Sequence, residues 1–295
     1  MSRATGLALY SSTARVAAAP VIRQYSTSFR LATSLFPRRC RAAVASVYAL
    51  VRIADEIVDG TAAEAGLDRA AQRRVLDELE TETQRAVATG FSANLVVHAF
   101  AAVVREAGIE PELTRAFFAS MRRDLDDVDF DEAEYRTYVH GSAEVVGLMC
   151  LRVFLAGRAV RPEVAQQLDD GAVRLGAAFQ KVNFLRDVAH DQQSLGRSYL
   201  PGVSPAGMTE AGKAAVVADI RADLRAARAA VRHLPPDCRR AVLVATALFG
   251  ELLRRIDRLP AARLAATRVS VPTPVKLALT LRWTLAPAVL TEVRP

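Results

Sequence analysis

The chain is poor in the residues that several common functions need. Among 295 residues there are three cysteines, Cys40, Cys150 and Cys238. They are widely separated, odd in number and part of no CxxC or Cys/His spacing, which argues against a disulfide framework and against a zinc site. A reducing cytoplasm is the compartment this predicts. Lysine is nearly missing: Lys181, Lys213 and Lys276 are the only three, so arginine carries almost all the positive charge. Aromatic residues make up only 6%. The arginines form no basic tail and no aromatics alternate with them, so nucleic acid is not an expected partner. No stretch has the roughly 18 uncharged apolar residues that a membrane span needs. The most apolar window, 145–160, is broken by Arg152 and Arg158. Residues 2–22 are apolar in patches but contain no clean secretory h-region, so no signal peptide is expected. Strand alternation, internal repeats and low-complexity tracts are all missing.

What is present is 51% hydrophobic and 24% charged sequence with a net charge of +7. This is the profile of a globular protein able to bury a large core. A basic balance without nucleic-acid features leaves an anionic membrane surface or a phosphorylated substrate as partners. Alanine, leucine and arginine dominate, and apolar residues recur at spacings of three and four. The pattern predicts helices near 26–35, 38–59, 66–88, 92–107, 111–127, 132–157, 162–192, 209–233, 236–257 and 272–290. Asp131 and Glu134 form a capping box. Pro162 suits a first helical turn, and Gly60 and Gly196 suit helix ends. The loop from Gly196 to Pro205 is the clearest break. With no linker in view, one all-α domain is expected.

Two segments place carboxylates where a helix disfavours them. In the first, Asp55 and Asp59 share one face with Tyr48 and Arg52 upstream. In the second, Asp187 and Asp191 share a face with Gln180 and Asn183. A like-charge pair four residues apart costs about 0.2–0.5 kcal/mol, and the negative end of the helix dipole adds to it. One such pair is ordinarily a solvated acidic surface. Two of them, each behind a polar stripe, point instead to a divalent cation. Mg²⁺ takes carboxylate and water oxygens and binds substrate phosphates with them. A diphosphate would complete the site, its charge shared by Arg52, Arg186 and Arg197. For Arg52, an ordinary i,i+4 pair with Glu56 is the competing reading.

Asp55-Glu-Ile-Val-Asp59, and Asn183 through Asp191 followed by Gly196-Arg197-Ser-Tyr199-Leu-Pro201, resemble the two aspartate motifs of the squalene/phytoene synthase family. Tyr25-Ser-Thr-Ser28-Phe29 resembles its N-terminal flap. Met121 to Leu125 and Tyr138 to Met149 resemble its central helices, and Arg268 to Pro272 with Lys276 its C-terminal element. The likeness runs from Tyr25 to Leu281, most like the phytoene synthases of actinobacteria. It implies an all-α, single-domain bundle of the isoprenoid synthase type with a central cavity over 25–295, behind a partly ordered N-terminal extension, 1–24. It implies Mg²⁺, with Mn²⁺ as a substitute, held by Asp55, Asp59, Asn183, Asp187 and Asp191. Tyr48 and Tyr138 would join the aspartates in catalysis. Ser28, Phe29, Arg52, Gln180, Asn183, Arg186, Arg197, Tyr199 and Arg268 would bind substrate.

The implied reaction joins two geranylgeranyl diphosphates head to head through prephytoene diphosphate to phytoene, with no NADPH. The alternatives are squalene or dehydrosqualene synthesis from farnesyl diphosphate, cyclisation of one diphosphate, or a non-catalytic binding relative. A water-insoluble product implies peripheral attachment to the inner face of the cell membrane. Three residues depart from the family's pattern: His190 stands for a glutamate, Glu144 for a glycine and Phe249 for a tyrosine.

Overall fold

The structure, a computed structural model, describes residues 5–126, 130–194, 199–200, 208–264 and 267–285, with the backbone alone at 189–194. Regular structure among the described residues is entirely helical. The longer helices are α1 (Gly6–Tyr25), α2 (Thr27–Ser34), α3 (Arg38–Val58), α5 (Arg69–Thr89), α6 (Leu95–Ala107), α7 (Pro111–Arg123), α8 (Glu132–Val139), α9 (Val145–Leu155), α10 (Pro162–Ser194), α11 (Glu210–Ala230), α12 (Pro236–Asp257) and α14 (Thr273–Leu285). Single turns, α4 (Thr61–Glu64) and α13 (Ala261–Leu264), join some of them.

Local chemistry sets the boundaries. Asp68 and Asn94 accept backbone N–H groups at the starts of α5 and α6. Asp131 and Glu134 close the capping box of α8. Gly60 adopts φ +116°, which ends α3 where a side chain would be strained. Gly196 lies outside the described residues. Helix α1 occupies the stretch read as an N-terminal extension. It buries Ala14, Ala18 and Ile22 and packs on α3 and α6. Its buried stripe is mostly alanine and it contains Pro20, so the sequence shows little of the usual amphipathic signal.

Helices α8 and α9 are joined by a π-helical turn, His140–Glu144, into one run. By length and composition this run, Glu132–Leu155, is apolar enough to cross a bilayer, yet half of its most apolar window is buried in the protein. It packs between α7 and α10 as a core helix. Tyr138, Ser142, Val146, Cys150 and Phe154 line a central cavity at four-residue spacing. In an ideal α-helix such a row drifts by about 40° at each step. A π turn takes more residues per turn and holds the row closer to one face.

Helices α9 and α10 meet backbone to backbone. A Cβ on Gly147 would lie 2.5 Å from the Ala172 carbonyl oxygen, and one on Gly176 would lie 2.5 Å from that of Ala143. Gly176→Val should therefore destabilise the fold by about 3 kcal/mol or more, the upper range for overpacking. Urea unfolding reads this directly; an unchanged midpoint would show that the helices can separate freely. Cys40 and Cys238 meet between α3 and α12 with sulfurs 3.8 Å apart, both fully buried. Nothing in their sequence spacing reveals that contact.

Candidate active site

Helices α2, α3, α9, α10 and α12 surround a cavity of about 980 Å³. Its deep end is apolar, with Phe36, Phe154, Leu168, Leu234 and Val242. Its other end collects polar groups from the two facing helices. From α3 come Tyr48, Arg52, Asp55 and, just past its end, Asp59; from α10 come Gln180, Asn183, Arg186 and Asp187. Ser28 and Phe29 reach the cavity from α2, and Arg268 reaches it from the segment before α14.

The two carboxylate groups are in opposite electrostatic states. Asp55 is enclosed by protein but keeps 28% of its side chain open. Burial, and then the charge of Asp59, push its carboxyl well above the usual carboxylate range, and Arg52 at 3.9 Å offsets only part of this. Burial also pushes Asp187 upward, but here the arginines win. Arg186 Nε donates to both carboxylate oxygens at 3.0 Å and Arg268 Nε donates at 2.8 Å, so the net shift is downward. The α3 side thus wants a cation, and the α10 side already holds positive charge. Arg52 satisfies both readings of its sequence position. It donates to Glu56 at 2.7 Å and still lines the cavity, with its guanidinium 4.4 Å over the Tyr25 ring. Burial holds the half-buried Tyr48 hydroxyl up at about 12.

Close to Asp55 and Asp59, Tyr138 and Tyr199 both donate to Asp124, at 2.9 and 2.8 Å. All three are buried. Their rings stack with Phe184, Tyr199 lying 5.1 Å from Tyr138 and 4.7 Å from Phe184. Elsewhere in the lining Phe249 stacks on Phe179 at 3.9 Å, with Phe29 beside both. The donors at the polar end are all oxygens, two of them on mutually repelling carboxylates, a set that fits a hard divalent cation. Among the described residues no three His, Cys, Asp or Glu converge on one point; the side chain of Asp191 lies outside them.

The model of one family, squalene/phytoene synthase, matches residues 22–274. The chain belongs to this family. It is similar to the phytoene synthase of Pseudescherichia vulneris, with 29% identity over 77% of each chain. It is also similar to a 15-cis-phytoene synthase of Paracoccus, with 33% identity over 61% of this chain and 58% of that enzyme. Mycobacterium tuberculosis phytoene synthase matches at 30% over 61% of this chain and 55% of its own length. Among solved structures, a dehydrosqualene synthase in complex with ligand superposes with a TM-score of 0.76 at 22% identity, over 95% of this chain and 98% of that one. Squalene synthase HpnC from Alicyclobacillus acidocaldarius gives 0.68 at 22%, over 86% and 96%. The fold is therefore of the isoprenoid synthase type.

Ser28, Phe29, Tyr48, Arg52, Asp55, Asp59, Tyr138, Gln180, Asn183, Arg186, Asp187, Tyr199 and Arg268 all line this cavity. Arg197 and the side chains of His190 and Asp191 lie outside the described residues. Asp124 is the residue the sequence reading passed over. A signal was present: it follows the last turn of α7, where the helix dipole disfavours a carboxylate, the argument that singled out Asp59. Lys276 belongs to the C-terminal element of the resemblance but carried no predicted role. It lines the cavity and donates to the Thr27 hydroxyl, tying α14 to α2. Glu144 is bound by His140 at 2.8 Å and is not among the cavity-lining residues.

Proposed function

We propose that the protein is a prenyltransferase that condenses two geranylgeranyl diphosphates head to head into phytoene. The observation that carries this reading is the polarity of the cavity: paired carboxylates and arginines at one end, an apolar chamber at the other. Its volume is at the upper end for small-molecule sites, as long isoprenoid chains require. The similarity to several phytoene synthases supports the choice of substrate.

Asp55, Asp59, Asn183, Asp187 and Asp191 would hold Mg²⁺ or Mn²⁺, which when bound supplies Lewis-acid stabilisation of the departing diphosphate. Arg52, Arg186 and Arg268 take up the remaining phosphate charge. The apolar chamber excludes water from the allylic cation left behind. The faces of Tyr138, Tyr199 and Phe184 offer that cation a negative quadrupole. The double bond of the second substrate attacks, and proton loss closes a cyclopropane. A second diphosphate departure, rearrangement and proton loss give phytoene without a reductant.

The test is product mass. Purified protein with Mg²⁺ should convert the C20 diphosphate to a C40 hydrocarbon and release diphosphate, and excess EDTA should stop it. A C30 hydrocarbon from the C15 substrate alone would move the assignment to squalene or dehydrosqualene synthesis. A cyclised monomer would make it a cyclase, and no turnover of either substrate would overturn the reading.

A further inference from the structure

Helices α3 and α12 start side by side. Cys40 lies in the first turn of α3, after Pro37, and Cys238 in the first turn of α12, after Pro235. Both are free thiols, neither side chain reaches the surface, and their sulfurs are 3.8 Å apart, in contact without a bond. Two converging helix N-termini favour negative charge on sulfur. Arg39 adds to this, with Nη2 3.5 Å from the Cys238 sulfur and Nε donating to Asp237 at 3.2 Å. Arg158 reaches the same Asp237 at 3.4 Å. The hydrogen bond from Cys238 brings the Cys40 thiol below its ordinary range, against burial and with help from Arg39 and Arg158. Its hydrogen bond to Cys40, then burial and the charge of Asp237, push the Cys238 thiol up. A more acidic thiol touching a less acidic one is how an attacking cysteine and its resolving partner are arranged.

We propose that Cys40 and Cys238 are an oxidation site, closed into a reversible disulfide by hydrogen peroxide. The sulfurs have no open surface, so the oxidant has to be about the size of water. Its way in is past Arg39 and Asp237, the ion pair over the thiols, each a little over a third exposed. The Cys40 sulfur attacks one peroxide oxygen, the O–O bond breaks, and the second oxygen leaves as water with the thiol proton. Cys40 is then a sulfenic acid. The Cys238 sulfur attacks the Cys40 sulfur and expels its hydroxyl, which leaves as water with the Cys238 proton. Two thiols lose two electrons in all, and one peroxide becomes two waters. Because the sulfurs already touch, the second step needs little motion and outruns further oxidation of Cys40. An external dithiol reverses the bond by exchange.

The bond would be felt at the end wall of the chamber. The Cys40 thiol faces the Val153 carbonyl oxygen at 3.8 Å, and Arg39 Nη1 donates to the Phe154 carbonyl oxygen at 3.1 Å. Phe154 lines the deep end and stacks on Phe36, which stands just before α3. Oxidation removes the Cys40 S–H and ties α3 to α12 behind this pair. It also closes a loop between residues 198 apart in sequence, which restricts the unfolded chain. The third cysteine, Cys150, lines the chamber, and burial pushes its thiol up to about 12, so it is the poor nucleophile of the three. The site goes beyond the proposed reaction and does not rest on it, because mass and melting are read without turnover.

Full-length reduced protein is titrated with hydrogen peroxide, quenched with catalase, and read by intact mass, by peptide mapping without reductant and by thermal melting. The mass should fall by about 2 Da, the loss of two hydrogens. The map should link Cys40 to Cys238 and leave Cys150 free. The melting temperature should rise by about 5 °C, and dithiothreitol should return both mass and melting to their starting values. Cys150→Ala should form the same link. With Cys238→Ser, dimedone, which captures sulfenic acids, should label Cys40; with Cys40→Ser, Cys238 should stay unlabelled. Four results would overturn the proposal: no loss of mass, a link to Cys150 or between two chains, Cys40 carried to the sulfinic acid in the wild type, or dimedone on Cys238 in place of Cys40. The wild-type mass and map decide the matter even if a variant fails to fold.

Discussion

Asp55→Asn and Asp187→Asn should each lower kcat by about a thousandfold or more while moving stability in opposite directions. The shared loss follows from the proposed chemistry. A bound divalent cation contributes several kcal/mol of charge stabilisation, and about 4 kcal/mol is a factor of a thousand. The opposite stabilities follow from the geometry alone. Asp55 has its carboxyl raised by burial and by Asp59. The folded state therefore holds its proton more tightly than the unfolded chain does, and stability falls as pH rises through that range. In metal-free buffer at neutral pH, Asp55→Asn removes this penalty and should melt at a higher temperature than the parent. The advantage should vanish below about pH 4, where the unfolded carboxyl becomes protonated as well. Asp187 has the reverse linkage. Its carboxyl is held down by Arg186 and Arg268 against the effect of burial, so it contributes stability above the usual carboxylate range that is lost on acidification. Asp187→Asn should melt lower at neutral pH. Thermal melts with EDTA, beside the product assay, check both signs; two variants that melt alike would mean the carboxylates feel similar fields.

Asp124→Leu should be among the most destabilising single changes at the cavity. The carboxylate accepts the hydroxyls of both Tyr138 and Tyr199. Removing it strands two buried donors at about 1–3 kcal/mol each, hence a loss of about 2–6 kcal/mol. The penalty belongs to unpaired hydroxyls rather than to lost volume. Adding Tyr138→Phe and Tyr199→Phe to Asp124→Leu should therefore restore much of the stability, and urea unfolding of the single and triple variants would show it. A triple variant no more stable than Asp124→Leu would mean that the charge of Asp124, not its role as acceptor, holds this wall.

The parts of the fold legible in the sequence were those with a strong local signal. The long helices carried full-length periodicity, Asp131 and Glu134 announced a capping box, and the Asp55–Asp59 and Asp187–Asp191 pairs opposed helix electrostatics. Helix α1 was not legible, because alanines at Ala14 and Ala18 give a weak apolar stripe and Pro20 interrupts it. The π turn at His140–Glu144 has no spacing signature of its own. Asp124 acquires its partners only when α7, α8 and the segment at Tyr199 come together, a contact across 75 residues. The Cys40–Cys238 approach is likewise a product of two helix ends brought together from remote places in the chain.

The glycine seam between α9 and α10 has a consequence for how such a chamber can be resized. At Gly147 and Gly176 there is no side chain left to trim, and any addition collides with the opposite backbone. That flank is a fixed rail. Room for a longer or shorter substrate has to be made elsewhere, and the stacked Phe36–Phe154 pair at the deep end, with ring centres 4.8 Å apart, is the natural place. Library design that holds the two glycines constant and varies those phenylalanines would keep the scaffold while sampling chamber depth.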